Sequence, residues 1–476
     1  MYRNYFYLIY LITYACCSLH AQKVEFSPVV EMGREEWYWL GVLEDKILVA
    51  NKTKNAYKMN ILDTALQIKA ETDITFEQPN ASLLKIFTDK NYYYIIYSYT
   101  KKNKVHVLLS KYTKEAELLK DTILGEFPDK FVFRSEQIEF SENKQKIALY
   151  ANSLSETKAL IVCDIPSFRV HYQQTMEWDS ISYLKEFMEL VINNTGAVFL
   201  IFDHKGIYRR QLKAHQLLIQ RIDTNTQTVT HFAPCPDYFF HTFAGKYDER
   251  NQNLVISGFS AQKEAEVATH HFFYRTDMQQ AQGVLQHTLL EEAFLRSFTG
   301  SKRKKILGIT DMRVREILLK QDGGCLLIGE QVSIQKYQFA SALVPAGGGG
   351  SNLSTQIDYM YGNLALFATH NTGQIHWKNI IHKYQKSEND GGAYSSFFLL
   401  KTPQALELIY NNEIDTETGH YQYTIRPNGQ LERKILSLAL PKSTLFEFKK
   451  SIQTQANEFL VPHFFARKLK IARFVY

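Results

Sequence analysis

The stretch from Arg313 to Glu330 reads RVREILLKQDGGCLLIGE, and it decides the fold predicted for the whole chain. Two apolar runs, residues 317–319 and 325–328, flank the polar residues 321–324. Asp-Gly or Gly-Gly between two strand-like runs is the strongest short-range signal for a β-hairpin. The stretch is therefore predicted to form a β-hairpin.

The same pattern of apolar run, polar turn and apolar run recurs along nearly the whole chain. The second apolar run of each of eight units begins at Lys46, Tyr92, Lys146, Ala197, Asn253, Gly324, Ala405 and Asn457. Six of the eight turns before these positions contain Asn, Asp or Gly, which tolerate the positive φ that tight hairpins require. Repeats of about 40 to 50 residues that are built from strands are typical of β-propellers with four-stranded blades.

The last unit predicts how the ring closes. Its third strand, residues 468–475, ends the chain, while residues 24–30 have a strand pattern without a partner of their own. Pairing the two would close the ring and remove exposed sheet edges. The predicted fold class is thus all-β, a single β-propeller over residues 22–476 with eight four-stranded blades, the last closed by the N-terminal strand. Seven blades is the alternative.

Two segments are predicted to be long loops that do not interrupt the repeat, residues 288–310 and 332–358. Residues 290–298 within the first have apolar side chains at helical spacing, which predicts one short helix. The second contains PAGGGGS at residues 345–351, the composition of a flexible linker in a surface loop.

Residues 1–21 have the pattern of a secretory signal peptide. Arg3 is the only charge before the apolar residues 5–17, and the residues Ser18-Leu19-His20-Ala21 that follow predict cleavage after Ala21. A lipoprotein signal using Cys16 or Cys17 is the alternative. We expect an extracytoplasmic protein of the periplasm or the outer-membrane periphery, with no transmembrane segment in the mature chain.

Charge and cysteine content exclude some classes of protein. Removing Arg3 leaves 54 of the 55 basic residues against 49 acidic ones, a net charge of +5 that is too weak to imply nucleic-acid binding. The mature chain has three cysteines, Cys163, Cys235 and Cys325, so it is not a disulfide framework. Stability must come from burial, for which 45% apolar residues suffice.

In four-stranded blades, the connections from the second to the third strand and from one blade to the next emerge on one face. All the long connections fall there, so we call it the loop-rich face and the opposite side, with the short hairpin turns, the plain face. Binding is expected on the loop-rich face, mainly in the fifth to seventh blades. The candidate binding residues are Arg209, Arg210, Lys213, Lys302, Arg303, Tyr337, Phe339, Tyr359, Tyr361, Tyr384, Lys386 and Asp390.

Each group of candidates has its own chemistry. The basic residues would suit an anionic surface or an acidic partner. The aromatic residues could stack on a sugar or hold a partner protein. Residues 383–392 combine acidic and amide oxygens with glycines, as calcium loops do, although without the spacing of an EF-hand. No cofactor is predicted, and calcium is the alternative.

No catalytic or metal-binding set is predicted. Histidines cluster at His270-His271 and in the trio His370, His376 and His382. The trio is interpreted as strand packing, because spacings of six suit neither one helical face nor a hairpin metal site. Cys235 lies between two prolines, and the sequence indicates no arrangement of a base and oxyanion donors around it. A carboxylate pair for glycoside hydrolysis would come from different blades, where spacing in the sequence cannot reveal it.

Residues 322–330, 373–378 and 385–392 resemble uncharacterised secreted β-propeller proteins of Bacteroidota, which implies an extracytoplasmic propeller without a known active site. Thr372-Gly373 followed by Trp377 resembles the turn that docks neighbouring blades in quinoprotein dehydrogenases. The expected function is a non-catalytic binding or scaffold protein of the bacterial cell envelope that holds a protein or glycan partner. The alternatives are a propeller enzyme that acts on polysaccharide or carries a redox cofactor, and a lectin-like glycan-binding module.

Overall fold

The computed structural model of the chain describes residues 23–33, 37–53, 56–76, 78, 80–153, 157–176, 188–208, 211–223, 228–234, 238–262, 267–277, 282–340, 353–412, 414, 419–436 and 444–475. The predicted signal peptide, Cys235, Arg209, Arg210 and the glycine-rich residues 345–351 lie outside these ranges. The helices in the described part of the chain are too short and too polar to cross a bilayer.

Within these ranges, two short strands, β1 (Lys23–Phe26) and β2 (Val30–Glu31), precede a series of four-stranded antiparallel sheets. Sheet 1 contains β3 (Tyr38–Leu43), β4 (Lys46–Lys52), β5 (Tyr57–Leu62) and β6 (Ile68–Ile74). Sheet 2 contains β7 (Ser82–Thr88), β8 (Tyr93–Lys101), β9 (Lys104–Tyr112) and β10 (Leu118–Pro128). Sheet 3 contains β11 (Phe131–Phe140), β12 (Lys146–Ser153), β13 (Lys158–Asp164) and β14 (Val170–Met176). Sheet 4 contains β15 (Met188–Ile192), β16 (Val198–Tyr208), β17 (Gln211–Ile222) and β18 (Thr228–Pro234).

The second half of the chain continues the series with longer connections. Sheet 5 contains β19 (Phe239–Asp248), β20 (Asn253–Ala261), β22 (His270–Asp277) and β23 (Gln282–Leu289), and β21 (Val267–Ala268) pairs with β24 (Ile309–Thr310). Sheet 6 contains β25 (Met312–Leu319), β26 (Cys325–Ala340), β27 (Leu353–Thr369) and β28 (Ile375–Ile381), with β29 (Gln385–Glu388) paired to β27. Sheet 7 contains β30 (Phe398–Lys401), β31 (Leu406–Asn412), β32 (Gly419–Ile425) and β33 (Leu431–Leu436). Sheet 8 contains β34 (Ile452–Gln455), β35 (Glu458–Phe465) and β36 (Lys468–Val475).

The strand pattern predicted from the sequence agrees closely with these sheets. The eight second strands begin at or one residue after the predicted positions; Cys325, for example, opens β26 where Gly324 was expected. The hairpin predicted at residues 313–330 is confirmed, because Leu319 pairs with Cys325 across a turn in which Gly323 has a φ of 81°. That positive φ, and the hydrogen bond from the Gly324 N–H to the Asp322 carboxylate (3.0 Å), explain why the turn requires Asp-Gly.

The N-terminal segment completes sheet 8, as predicted. β1 pairs with β36 from Lys23↔Val475 to Phe26↔Ala472, and β2 pairs with Leu469 and Lys468. Between them, the Ser27 N–H donates to the Ile471 carbonyl and the Ile471 N–H donates to the Ser27 hydroxyl, both at 2.9 Å. The two ends of the chain are therefore joined in one sheet.

The sheets surround a common axis with their first strands innermost. β3, β7, β11, β15, β19 and β25 lie beside one another in that order, and β34 lies beside β3. β30 joins β34 through the Lys401 N–H, which donates to Gln453 (3.0 Å). A separate apolar core lies between each sheet and the next, including one between sheets 8 and 1 that contains Val30, Leu40 and Leu469. The fold is all-β and is a β-propeller.

One short helix, α1 (Glu292–Thr299), follows sheet 5, and a 3₁₀ helix (Phe448–Lys450) precedes sheet 8. α1 confirms the helix predicted at residues 290–298. It buries Phe294, Leu295 and Phe298 and ends at Gly300, whose φ of 61° suits a helix terminus. Sheets 6 and 7 are docked by Trp377, whose indole N–H donates to the Pro427 carbonyl (2.9 Å), as the blade-docking resemblance implied.

Candidate functional site

Most of residues 332–358, expected to be a long loop, form a two-stranded ribbon. β26 and β27 pair without a register shift from Val332↔Tyr361 to Ala340↔Leu353, and so extend sheet 6 on the loop-rich face. Residues on both sides of the glycines are rich in β-branched and aromatic side chains, which favour strands. The glycine-rich segment suggested a loop, but the strand-forming residues beside it determine the structure. Likewise, β16 and β17 extend onto this face by pairing from His204↔Gln216 to Tyr208↔Gln211.

The candidate aromatic residues of sheet 6 occupy different environments. Tyr337 is 40% exposed on the ribbon, whereas Tyr361 is buried at its base. Tyr359 is half-buried and pairs with Ser387 of β29. Phe339 belongs to β26, but its side chain lies outside the described part. These residues therefore do not form one stacking platform in the described structure.

A buried carboxylate anchors the base of the ribbon. Glu330 is 0% exposed, and its Oε2 accepts hydrogen bonds from the Arg315 Nε (2.6 Å) and the Ser396 hydroxyl (2.8 Å). The Lys383 Nζ, also 0% exposed, lies 2.6 Å from the Glu330 Oε1. Burial by itself would raise the pKa of Glu330, but the charges of Lys383 and Arg315 outweigh it and hold that pKa below its usual value. Glu330 is thus an ionised carboxylate inside the protein at neutral pH.

Tyr361 covers this ionic network. Its ring lies 5.4 Å from the Arg315 guanidinium and 5.8 Å from the Lys383 Nζ, within the range of cation–π attraction. Gly392 packs against the ring, where a Cβ would come within 2.8 Å of it. The Lys449 Nζ donates to the Gly392 carbonyl. The network therefore joins the base of the ribbon to the connections that precede sheets 7 and 8.

Three further candidate residues lie in the segment between sheets 6 and 7. Asp390 accepts hydrogen bonds from the Ser387 hydroxyl (2.7 Å) and the Gly392 N–H (2.8 Å), which is how this turn is shaped. Lys386 lies 3.2 Å from Asp358 and 3.0 Å from Glu388. Tyr384 is 60% exposed. In the described residues, no group of three or more His, Cys, Asp and Glu side chains is placed to hold a metal ion; calcium binding stays a prediction.

The predicted basic patch is described only in part. Lys302 and Arg303 are exposed in the connection after α1, where Arg296 donates to the Arg303 carbonyl (3.0 Å). Lys213 belongs to β17, but its side chain, like the whole of Arg209 and Arg210, lies outside the described part. The structure therefore does not show whether these five residues come together.

The loop-rich face also exposes large apolar side chains that the sequence did not single out. Leu307 is 63% exposed in the connection after α1, and Ile334 is 47% exposed on the ribbon. Leu289 and Phe465 are exposed at strand ends on the same face. Together with Tyr337 and Tyr384, these residues belong to sheets 5, 6 and 8 and to the connections that follow sheets 5 and 6. We call these six residues the apolar set.

The histidines and cysteines that are described have structural surroundings. His271 is buried in β22, lies 3.1 Å from the Ser257 hydroxyl and stacks on Phe367, and burial lowers its pKa to about 3. His370 lies 3.4 Å from Asp322 at the plain face. Cys163 and Cys325 are free and buried. His271 is thus packed inside its sheet, but the interpretation of the trio as strand packing is wrong. His376 and His382 are exposed, and His370 lies in the turn after β27 with 43% of its side chain exposed.

A second group of ionisable residues surrounds the central axis. The first strands of sheets 2 to 6 each place one charged residue at nearly the same height along the central axis. In each sheet, this residue pairs with a residue that lies two or three positions after the start of the second strand. These residues, the channel belt, are Lys85, Glu139, Glu189, Lys246 and Glu316. All but Lys85 line a cavity of about 750 Å³ that reaches Glu142 and Lys401 near the plain face.

Most contacts in the channel belt cross from one sheet to the next. Lys85 of sheet 2 donates to the Ile138 carbonyl of sheet 3 (2.8 Å), and Lys246 of sheet 5 lies 2.7 Å from Glu316 of sheet 6. Between sheets 3 and 4, by contrast, Glu139 and Glu189 repel each other. Burial, with the nearby charge of Glu139, raises the pKa of Glu189 to about 7. Perturbed carboxyl groups in a cavity are candidates for function.

The raised pKa of Glu189 predicts a pH-dependent stability. Because the folded protein holds this proton to higher pH than the unfolded chain, the stability it contributes is complete below about pH 4.5 and is lost as the pH rises to about 7. Glu189→Gln removes the carboxylate that is costly to ionise in the folded protein. We therefore expect the change in the free energy of unfolding caused by this substitution to be more favourable at pH 8 than at pH 4.5, by about 1–3 kcal/mol. Urea unfolding at the two pH values measures this difference. Glu142→Gln, which changes an exposed carboxylate of the same cavity, is the control. Equal effects of Glu189→Gln at both pH values would contradict the prediction.

Neither the Glu330 network nor the channel belt was found in the sequence. Both combine residues from distant positions, and only the ring brings them together. The lone signal was a charged residue in a strand that otherwise reads as core, such as Glu330 after the run Leu326, Leu327 and Ile328.

Comparisons with known proteins show similarity in architecture only. No protein-family model matches the chain, and no curated protein matches it. Dipeptidyl peptidase 4 from Porphyromonas gingivalis is 8% identical with a TM-score of 0.47, over 92% of this chain and 59% of that one. The Dos1 propeller is 9% identical with a TM-score of 0.45, over 96% and 97%. BamB from Moraxella catarrhalis is 9% identical with a TM-score of 0.40, over 95% and 100%. The assignment as a propeller rests on the strand order and contacts of the sheets themselves.

Proposed function

We propose that this chain is a non-catalytic binding or scaffold protein of the bacterial cell envelope that holds a protein partner on its loop-rich face. The observation that carries the proposal is the apolar set. Exposed aromatic and branched side chains on the loop-bearing face of a rigid scaffold are a common feature of protein interaction sites. The ionic network at Glu330 fixes the base of the ribbon, so part of this surface is pre-organised before a partner arrives.

The proposal includes eight blades. Eight sheets of four or more strands within the described residues, and eight apolar cores between successive sheets, support this number. It also includes a location outside the cytoplasm, for which the signal-peptide pattern of residues 1–21 and the resemblance to secreted Bacteroidota propellers are the support. Mass spectrometry of the mature N-terminus distinguishes cleavage after Ala21 from lipidation at Cys16 or Cys17.

Shortening the ribbon tests the role of the loop-rich face. Deleting residues 335–356 should leave the unfolding temperature within a few degrees, because the ionic network and the pairs below Ile334 remain. Co-purification of the partner from envelope fractions should fall by about tenfold or more, as a hot-spot contact is lost. If the deletion unfolds the protein, the ribbon is structural and the assignment of the face fails.

A milder variant separates binding from folding. Leu307→Ser combined with Tyr384→Ser changes only exposed side chains of the apolar set and should also reduce co-purification. Leu118→Ser combined with Leu119→Ser, at two exposed positions of the outer strand β10, is the matched control and should not. Equal partner recovery with both double variants, or recovery of the chain as a lone monomer, contradicts the proposal.

One observation favours a second function, an enzyme that acts on polysaccharide. Glu139 and Glu189 face a common cavity, and a carboxyl group with a pKa near 7 can act as a general acid at neutral pH. The purified chain would then release reducing ends from envelope polysaccharide, and Glu189→Gln would abolish the release. Absence of any release by the wild-type chain would leave binding as the better account.

A further inference from the structure

The two edges of the ribbon differ. On the β27 side, β29 pairs with residues 358–361, and beyond it the Ile357 N–H donates to the Asn389 side chain while the Asn389 N–H donates to the Ile357 carbonyl, both at 2.9 Å. On the β26 side, β25 pairs no further than Gln331. Among the described residues, no strand pairs with this edge after Val332. The ribbon therefore offers one open edge, from Ser333 onward.

The backbone groups on this edge can be assigned. The Val332 N–H donates to the Asp311 carbonyl (2.8 Å), so it points away from β27. In a regular antiparallel pair, successive residues alternate between facing the partner strand and facing away. The register from Val332 to Ala340 is regular. The N–H and C=O groups of Ile334, Lys336 and Gln338 therefore point outward from the open edge.

Within the chain, β25 and Asp311 cover β26 only as far as Val332. β24 leads to Asp311, whose carbonyl accepts the Val332 N–H and takes the first position beside β26. Asp311 has a φ of 57°, a left-handed conformation at which the chain turns from β24 and continues as β25 beside residues 325–331 of β26, so residues from Ser333 onward stay uncovered by it. A further strand from outside could continue along β26 where Asp311 leaves it.

The charges around the open edge indicate what such a strand would contain. Residues 301–311, which lead to the edge, have four basic side chains and one acidic one. All four basic residues are exposed, and Lys336 adds another positive charge on the edge itself. Two exposed apolar side chains accompany these charges, Ile334 on the edge itself and Leu307 in the connection that leads to it.

We propose that the open edge of β26, from Ser333 to Gln338, binds an extended acidic segment of a partner protein as an added β-strand. This inference rests on the proposed function, since it names the chemistry by which the loop-rich face holds its partner. Main-chain hydrogen bonds to Ile334, Lys336 and Gln338 supply the affinity, and the basic residues select an acidic sequence. A second copy of the chain fits this edge less well. It would bring the two Lys336 side chains and the two basic connections together, and like charges across a strand pair are destabilising.

The test uses a labelled synthetic peptide of about eight residues that alternates Val and Glu, the extended form that strand addition requires. Its binding to the full mature chain is followed by fluorescence anisotropy. Lys336→Pro removes an outward N–H that β27 does not use, and proline is tolerated at sheet edges. We expect this variant to weaken peptide binding by more than about tenfold, because the lost hydrogen bonds are main-chain ones.

Lys336→Ala is the matched control, because it removes the same charge and keeps the N–H. It should weaken binding by only about two- to threefold, as expected for an exposed charge. A peptide with Lys in place of Glu should not bind. Failure of the acidic peptide to bind, equal affinities for Lys336→Pro and Lys336→Ala, or equal binding of the basic peptide overturns the inference. So does a wild-type dimer that Lys336→Pro converts to monomer, since a second copy would then occupy the edge.

The same variants separate this inference from the proposed function. If a partner is recovered from envelope fractions and Lys336→Pro does not reduce its recovery, the edge inference fails and the proposed function stands. If the acidic peptide binds as expected but no protein partner is recovered, the proposed function fails and the edge remains a peptide-binding site.

Discussion

Replacing Glu330 with glutamine should lower the free energy of unfolding by about 3–5 kcal/mol, the cost of leaving one partner of a buried ion pair without the other. The uncompensated charge would be that of Lys383, which is 0% exposed and lies 2.6 Å from Glu330. Urea unfolding at pH 7 measures the loss. Glu388→Gln, which removes an exposed carboxylate 3.0 Å from Lys386, is the control and should cost no more than about 1 kcal/mol.

The ion pair between Glu330 and Lys383 also predicts how the stability of the protein depends on pH. Because the folded-state pKa of Glu330 is lowered, its contribution to stability is complete above the unfolded pKa and is lost as the pH falls through the folded one. Glu330→Gln should therefore differ from the wild type less at low pH than at pH 7. Glu330→Gln combined with Lys383→Met should recover much of the lost stability, as both charges are then gone. A single variant as stable as the wild type would mean that the network does not anchor the ribbon.

Removing the closing strand should have an equally large effect. A chain that begins at residue 32 lacks β1 and β2, and with them the apolar side chains Val24, Phe26 and Val30, which pack into the cores on both sides of sheet 8. We expect a loss of at least about 4 kcal/mol from the lost burial alone. The exposed edge of β36 should also promote association between copies. Thermal unfolding and size-exclusion chromatography measure the two effects.

Glu31→Ala is the control for the closing strand, because Glu31 is the exposed neighbour of the buried Val30. It should leave the unfolding temperature almost unchanged. A truncated chain that unfolds like the wild type and stays monomeric would show that the ring does not need its N-terminal strand.

The propeller architecture could be predicted from the sequence because each repeat unit contains its own strand and turn signals within a short stretch of chain. Each blade contains its own turn signal, and each second strand begins where an apolar run follows Asn, Asp or Gly. The closing segment was predictable because residues 24–30 had a strand pattern without a partner of their own, although the structure divides it into β1 and β2. The ribbon is predicted to be a loop because the glycines at 347–350 suggest flexibility, although β-branched and aromatic residues beside them, such as Ile334 and Tyr337, favour strands.

The candidate site was predictable only in outline. The strand order indicated which face holds the long connections, but the Glu330 network joins Arg315, Lys383 and Ser396 across up to 81 positions of sequence. The channel belt is more distributed still, with one residue from each of five sheets. These contacts form only when the ring closes, so they cannot be predicted from the spacing of residues in a single sequence.

The central claim, that the loop-rich face binds a protein partner, is tested most directly by site-specific photo-crosslinking in intact cells. A photoreactive residue is placed at Ile334 on the ribbon or at Ile123 on the outer strand β10, two positions with nearly equal exposure of 47% and 46%. We predict one discrete protein adduct from position 334 and none from position 123. No adduct from position 334, or the same adducts from both positions, would contradict the account.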